Sequence, residues 1–176
     1  MAEYLDRIGA GKILIKKDVF SFDWTPPEIV GRNDELRELA SMFYGIEGQN
    51  ISCKSVIMGP VGSGKTVLTT TFSEKLCEKL EGLRDISLTH VNCRNYSSTT
   101  QVLQRIATSL DPRHPERGFS SGEIIQTIRR NLLAHGKHLI LILDEVDVLI
   151  RKDSSDLIYR LLRIDEGRDE KGTISL

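Results

Sequence analysis

Lys65 and Thr66 close the run Gly59-Pro60-Val61-Gly62-Ser63-Gly64-Lys65-Thr66, and Asp144 and Glu145 close the apolar run His138-Leu139-Ile140-Leu141-Ile142-Leu143. An ammonium, a hydroxyl and two carboxylates are the groups that bind and cleave a nucleoside triphosphate. The first run has the spacing G-x-x-x-x-G-K-[ST] of a phosphate loop, with an apolar stretch before it and a helix-like stretch after it. Its glycines permit backbone conformations that a side chain forbids. The loop N–H groups can then converge on an anion, and the following helix adds positive potential at its N-terminus. Pro60, Val61, Gly62, Ser63, Gly64, Lys65, Thr66 and Val67 are therefore the expected nucleotide-binding stretch. Lys65 would reach the β- and γ-phosphates, and the Thr66 hydroxyl would hold Mg²⁺. Asp144 is placed to bind the same Mg²⁺, directly or through water, and Glu145 to polarise the attacking water. The plainer alternatives are a glycine turn and a strand that happens to end in acids. Both would have to be coincidences in one chain.

The totals narrow the classes. The chain has 176 residues, 39% hydrophobic and 28% charged, enough for one sizeable core of ordinary globular composition. A net charge of −1 predicts no global attraction to nucleic acid or membrane, so any nucleic-acid contact must come from a local patch. No apolar run approaches the ~20 residues of a membrane span, and the mixed, charged N-terminus does not read as a signal peptide. Cys53, Cys77 and Cys93 form no C-x-x-C pair, which fits reduced thiols in an intracellular chain and not a zinc site. The four histidines have no ligand spacing and read as surface or packing residues.

The positioning elements follow from periodicity. Residues 1–28 read as an N-terminal arm, with lysines at 12, 16 and 17 and aromatics at Phe20, Phe22 and Trp24. The arm either packs over the core or forms a lid or basic contact. Ile29-Val30-Gly31-Arg32 leads into a helix capped by Asn33 or Asp34, with Leu36, Leu39, Ala40 and Phe43 on one face and Gly45 and Gly48 after it. Ser55 to Met58 is the expected strand before the phosphate loop, and Lys65 to Leu80 the helix after it. A strand at Ile86 to Asn92 delivers Asn92 to the ligand edge of a parallel sheet. An amide there could touch a catalytic carboxylate or water, or simply turn the chain. Helices are expected over 97–110 and, from the capping box Ser120 to Glu123, up to Gly136. Arginines at 94, 105, 113, 117, 129 and 130 could line a phosphate backbone or be solvated. The 138–144 run predicts a central strand buried on both faces. Asp147 reads as structural. One more helix is expected over 153–164, then a charged loop, then a strand begun at Thr173.

With these residues placed, the chain resembles the AAA+ ATPases, and among them the archaeal origin-recognition and cell-division-control replication initiators. The resemblance rests on Pro-Glu-Ile-Val-Gly-Arg at 27–32 with its helix, the phosphate loop, Val91-Asn92-Cys93-Arg94-Asn95-Tyr96, and Leu143-Asp144-Glu145-Val146-Asp147. It implies an α/β P-loop NTPase fold, a parallel sheet flanked by helices, with an AAA+ nucleotide-binding domain over 29–176 that is incomplete at its C-terminus. The lid, arginine finger and winged-helix domain would lie beyond Leu176, so hydrolysis by this chain alone is expected to be weak. It further implies ATP or ADP with Mg²⁺, Val30 and Gly31 near the adenine, and Lys65, Glu145 and Asn92 as catalytic residues. Asn92 would restrain Glu145, and the extra helix near 97–110 would face DNA. The implied function is a replication initiator switched by ATP binding and slow hydrolysis, cytoplasmic and nucleoid-associated. Its implied partners are double-stranded origin DNA and other initiator subunits or the helicase. The alternatives are another AAA+-like ATPase acting on proteins, or a nucleotide-gated interaction module without turnover.

Overall fold

The computed structural model describes residues 26, 28–48, 51–153, 156–164 and 174–176. The expectations for the N-terminal arm, apart from Pro26 and Glu28, and for the charged loop after Ile164 lie outside these residues. The element order is α1 (Asn33–Met42), α2 (Lys65–Leu80), β1 (Ile86–Asn92), a 3-10 turn (Cys93–Asn95), α3 (Thr99–Leu110), α4 (Ser121–His135), β2 (His138–Asp144), α5 (Asp147–Asp153), α6 (Asp156–Leu162) and β3 (Ile174–Ser175).

The strands form a parallel sheet in the order β1-β2-β3, and its register sets Ile86 against His138 and Asn92 against Asp144. β2 is central because its side chains are apolar on both faces. Leu139 and Leu141 enter a core with Val102, Leu103, Ile106, Ile128, Leu132 and Leu157, drawn from α3, α4 and α6. Ile140 enters a second core with Phe43, Ile46, Cys53 and Leu80 on the opposite face. Burying such side chains stabilises the sandwich by about 1.5–3 kcal/mol each before entropy is counted. This is the helix-flanked parallel sheet expected from the sequence.

Local signals set several boundaries. Ser98 caps α3 by accepting from the Gln101 N–H. Ser120 and Glu123 form the reciprocal capping box of α4, and Gly136 ends that helix with φ +61. Three expectations need correction. First, Ser55 to Met58 is not a regular strand. Leu176 N–H donates to Cys53 O at 3.0 Å and Ser55 N–H to Leu176 O at 2.8 Å, the paired bonds of a parallel ladder. No backbone bond of Val56, Ile57 or Met58 occurs among the described residues, and Val56 and Met58 stay 85% and 87% exposed. Second, neither Asn33 nor Asp34 caps α1. Arg32 holds the cap position without a side-chain cap bond, and the helix stops at Met42, short of the glycines. Phe43 and Ile46 then turn into the core, and their burial ends the helix. Third, the expected helix over 153–164 is only α6. The seven residues of α5 precede it, and Asp147 opens α5 by bonding Arg151 at 2.8 Å.

Candidate functional site

The register of β1 on β2 and the docking of α2 bring the two motifs together. Gly62 and Gly64 have φ +78 and +83, so the phosphate loop uses the left-handed freedom that glycine supplies. Gly64 is the N-cap of α2, and Lys65 and Thr66 are its first residues. Thr66 Oγ1 donates to Asp144 Oδ2 at 2.7 Å, joining the helix start to the end of β2. The hydroxyl and carboxylate form an all-oxygen donor set, which suits Mg²⁺. Lys65 Nζ folds onto the loop and donates to Gly59 O at 2.9 Å and Pro60 O at 2.8 Å. Those carbonyls hold the ammonium at the loop, where a bound phosphate would compete for it. Pro60, Val61 and Gly62 form the exposed rim, Ser63 is half-buried, and Val67 is half-buried on α2.

Glu145 follows β2 in a left-handed conformation, φ +51. For a side chain other than glycine this costs about 1–2 kcal/mol. The turn aims the carboxylate at Arg94, whose Nη1 lies 3.3 Å from Glu145 Oε2. Asn92, expected to restrain Glu145, uses its side-chain oxygen otherwise. It accepts from the Arg94 N–H at 3.0 Å and caps the turn at 93–95. The residue that touches Glu145 is therefore Arg94. The physical reason is reach: Asn92 pairs with Asp144 in register, whereas the guanidinium from the following turn extends to the next residue along.

His90 on β1 also reaches the site, with Nε2 3.7 Å from Asp144 Oδ2. The surface or packing role expected for the histidines covers His138 and His114, which are buried, and His90, which is exposed; the contact of His90 with Asp144 is additional to it. Beneath the site Cys93 is fully buried. Burial first, then the charges of Asp144 and Asp147, push its thiol up to about 11, so it stays protonated and inert.

On the other side of the loop lies the turn before α1. Val30 is 91% exposed and Gly31 has φ +74. Neither is fixed to the loop directly. The link is Arg32, whose Nη2 donates to Ser63 O at 2.9 Å while Nη1 pairs with Glu35 Oε1 at 2.5 Å. Sequence reasoning did not make Arg32 a site residue, and it read Arg94 only as an arginine that could line a phosphate backbone or be solvated, not as a partner of Glu145. A signal existed for Arg32, a cation at a helix start with a carboxylate three residues on. None existed for Arg94, whose partner is 51 residues away. The other arginines disperse. Arg113 pairs with Asp111 and Arg129 donates to Ile164 O, while Arg105, Arg117 and Arg130 are exposed.

Residues 54–176 match the family described as AAA domain. The chain is 34% identical to ORC1-type DNA replication protein 2 of Sulfurisphaera tokodaii over 90% of its own length and 39% of that protein's. It superposes on the Aeropyrum pernix ORC1 protein, solved in complex with DNA, with a TM-score of 0.79 and 27% identity, covering 92% of this chain and 42% of that one. A second likeness is the Aeropyrum pernix ORC2 protein, solved as ADPNP-ADP complexes, at TM-score 0.79 and 25% identity over 92% and 44% of the two chains. The chain spans about two fifths of the length of the curated relatives it matches. Among the described residues no helix is long and apolar enough to cross a membrane.

Proposed function

Because the chain belongs to the AAA family of P-loop domains, we propose that it is the nucleotide-binding part of an ATP-dependent initiator of DNA replication. The observation that carries this reading is the 2.7 Å bond between Thr66 and Asp144, which makes one site of two motifs far apart in the sequence. The loop backbone from Pro60 to Val67 cradles the phosphates, and Lys65 transfers its ammonium from Gly59 O and Pro60 O to phosphate oxygens. Thr66 and Asp144 would hold Mg²⁺, which would neutralise charge on the phosphate oxygens. Val30 and Gly31 lie toward the adenine, and Asn92 braces the turn carrying Arg94. Glu145 orients the attacking water once its carboxylate leaves Arg94.

ATP then acts chiefly as a switch for assembly and DNA contact, with slow hydrolysis resetting it. The partners are double-stranded origin DNA and other initiator subunits or the helicase, and the place of action is the nucleoid. The relatives that carry this proposal are named for DNA replication, and one was solved in complex with DNA. A second reading is a nucleotide-gated module without turnover. It is favoured by the Glu145 carboxylate being held by Arg94. Quenched-flow assay of bound ATP separates the two. In the enzyme, wild type converts bound ATP to ADP and Glu145→Gln retains it as ATP. In the module, both retain ATP.

A further inference from the structure

We propose that Arg32 is a positioning residue of the phosphate loop, and that it couples the turn carrying Val30 and Gly31 to phosphate binding. The inference deepens the nucleotide-site reading and rests on it. Its basis is a fork. One guanidinium nitrogen donates to Ser63 O at 2.9 Å, and the other pairs with Glu35 Oε1 at 2.5 Å. Glu35 is in the first turn of α1, where the helix N-terminus favours an anion. Its carboxyl is held below the ordinary range, first by the Arg32 bond and then by its own backbone N–H. Glu35 therefore fixes the guanidinium on α1, and the free arm of the fork is spent on a loop carbonyl 31 residues away.

That carbonyl is the informative one. A trans peptide directs its C=O and the next N–H to opposite sides, and no cis peptide occurs among the described residues. Holding Ser63 O on the Arg32 side turns the Gly64 N–H to the other side. Gly64 has φ +83, and as a glycine it has no side chain to oppose a flip of the adjoining peptide plane. Arg32 supplies the missing restraint, so the Gly64 N–H is pre-set for a phosphate oxygen. The guanidinium's planar fork makes both bonds at once, and a lysine ammonium has no such fork. Because the same side chain begins at the Val30–Gly31 turn, ordering the loop also orders that turn, and the coupling is reciprocal.

The test titrates the purified chain with ADP and with inorganic tripolyphosphate, which has no base. Wild type, Arg32→Ala, Arg32→Lys and Lys65→Ala are compared, each with a ligand-free melt. Arg32→Ala is expected to lose about tenfold or more in affinity for both ligands, the size of a charge-assisted hydrogen bond. Arg32→Lys keeps the charge without the fork and should lose affinity for both in the same proportion, by less. This second variant decides the matter if Arg32→Ala does not fold. A purely structural residue would lower the melting temperature and leave both affinities of the folded protein unchanged, which overturns the proposal. Loss for ADP alone would place Arg32 on the base and also overturn it. If Lys65→Ala abolishes binding while the Arg32 variants spare it, this inference fails and the site reading stands. If wild type binds neither ligand, or Lys65→Ala changes nothing, the site reading fails and this inference with it.

Discussion

Arg94 Nη1 and Glu145 Oε2 stand 3.3 Å apart across the end of the sheet, with the arginine 72% and the glutamate 40% exposed. The pair is weak because water screens it, worth at most about 1 kcal/mol. It still occupies the carboxylate that would orient water. Arg94→Ala should therefore raise basal ATP turnover by up to about fivefold while ADP affinity stays constant. Raised salt should do the same to wild type and nothing to the variant. A turnover that falls in Arg94→Ala would make the arginine a participant in the chemistry and not a restraint.

The conformation of Glu145 gives a second expectation. Its φ of +51 is one that glycine adopts freely. Glu145→Gly should raise the unfolding free energy by about 1 kcal/mol, measured from the urea midpoint, and abolish hydrolysis. Stability and activity would move in opposite directions at one residue. A less stable variant would mean that the Arg94 contact outweighs the backbone strain.

The pH dependence of stability should be dominated by a group far from the site. His138 is fully buried, and its Nε2 lies 2.8 Å from Ser175 Oγ, which also accepts from the Cys53 N–H at 2.9 Å. Burial, then the nearby Arg84 charge, lower its pKa to about 3. The unfolded imidazole takes up a proton near its ordinary value of 6.5. Between those values the unfolded chain binds the extra proton, so stability is lost as pH falls below about 6.5. From pH 7.5 to pH 5 the loss is about 2 kcal/mol from this residue alone. His138→Asn should flatten that slope in denaturant titrations at the two pH values. An equal slope in the variant would assign the acid sensitivity elsewhere.

Ser175 links that histidine to the segment leading into the phosphate loop. Ser175→Ala removes the bond that the Cys53 N–H donates and one contact of the imidazole, both at buried positions. The expected cost is about 1–3 kcal/mol by chemical denaturation. A change below a few tenths would mean that water or a shifted backbone replaces the hydroxyl.

Much of this was legible in the sequence where one local rule decided the outcome. The ends of β1 and β2 follow from alternation and from a continuous apolar run, and α4 from a capping box at one end and Gly136 at the other. The meeting of Thr66 with Asp144 was readable because each belongs to a motif with a fixed role. What escaped depends on contacts between distant segments. α5 is only seven residues long, too short for helical periodicity to emerge, and its Val148 and Ile150 read as strand formers. The stretch 56–58 looks like a strand by composition, yet a strand needs a neighbour and none pairs with it among the described residues. Arg94 reaches Glu145 because a parallel register sets Asn92 beside Asp144, and no spacing rule within β1 announces that.

The central claim is that the loop from Gly59 to Thr66 is a folded phosphate site completed by Asp144. Calorimetric titration of the chain with ADP and ATP, with and without Mg²⁺, tests it most directly beside Lys65→Ala. Binding at about micromolar or tighter, about −8 kcal/mol, strengthened by Mg²⁺ and lost in Lys65→Ala, is the predicted result. A folded wild type that binds neither nucleotide, or a Lys65→Ala variant that binds as well as wild type, would contradict it.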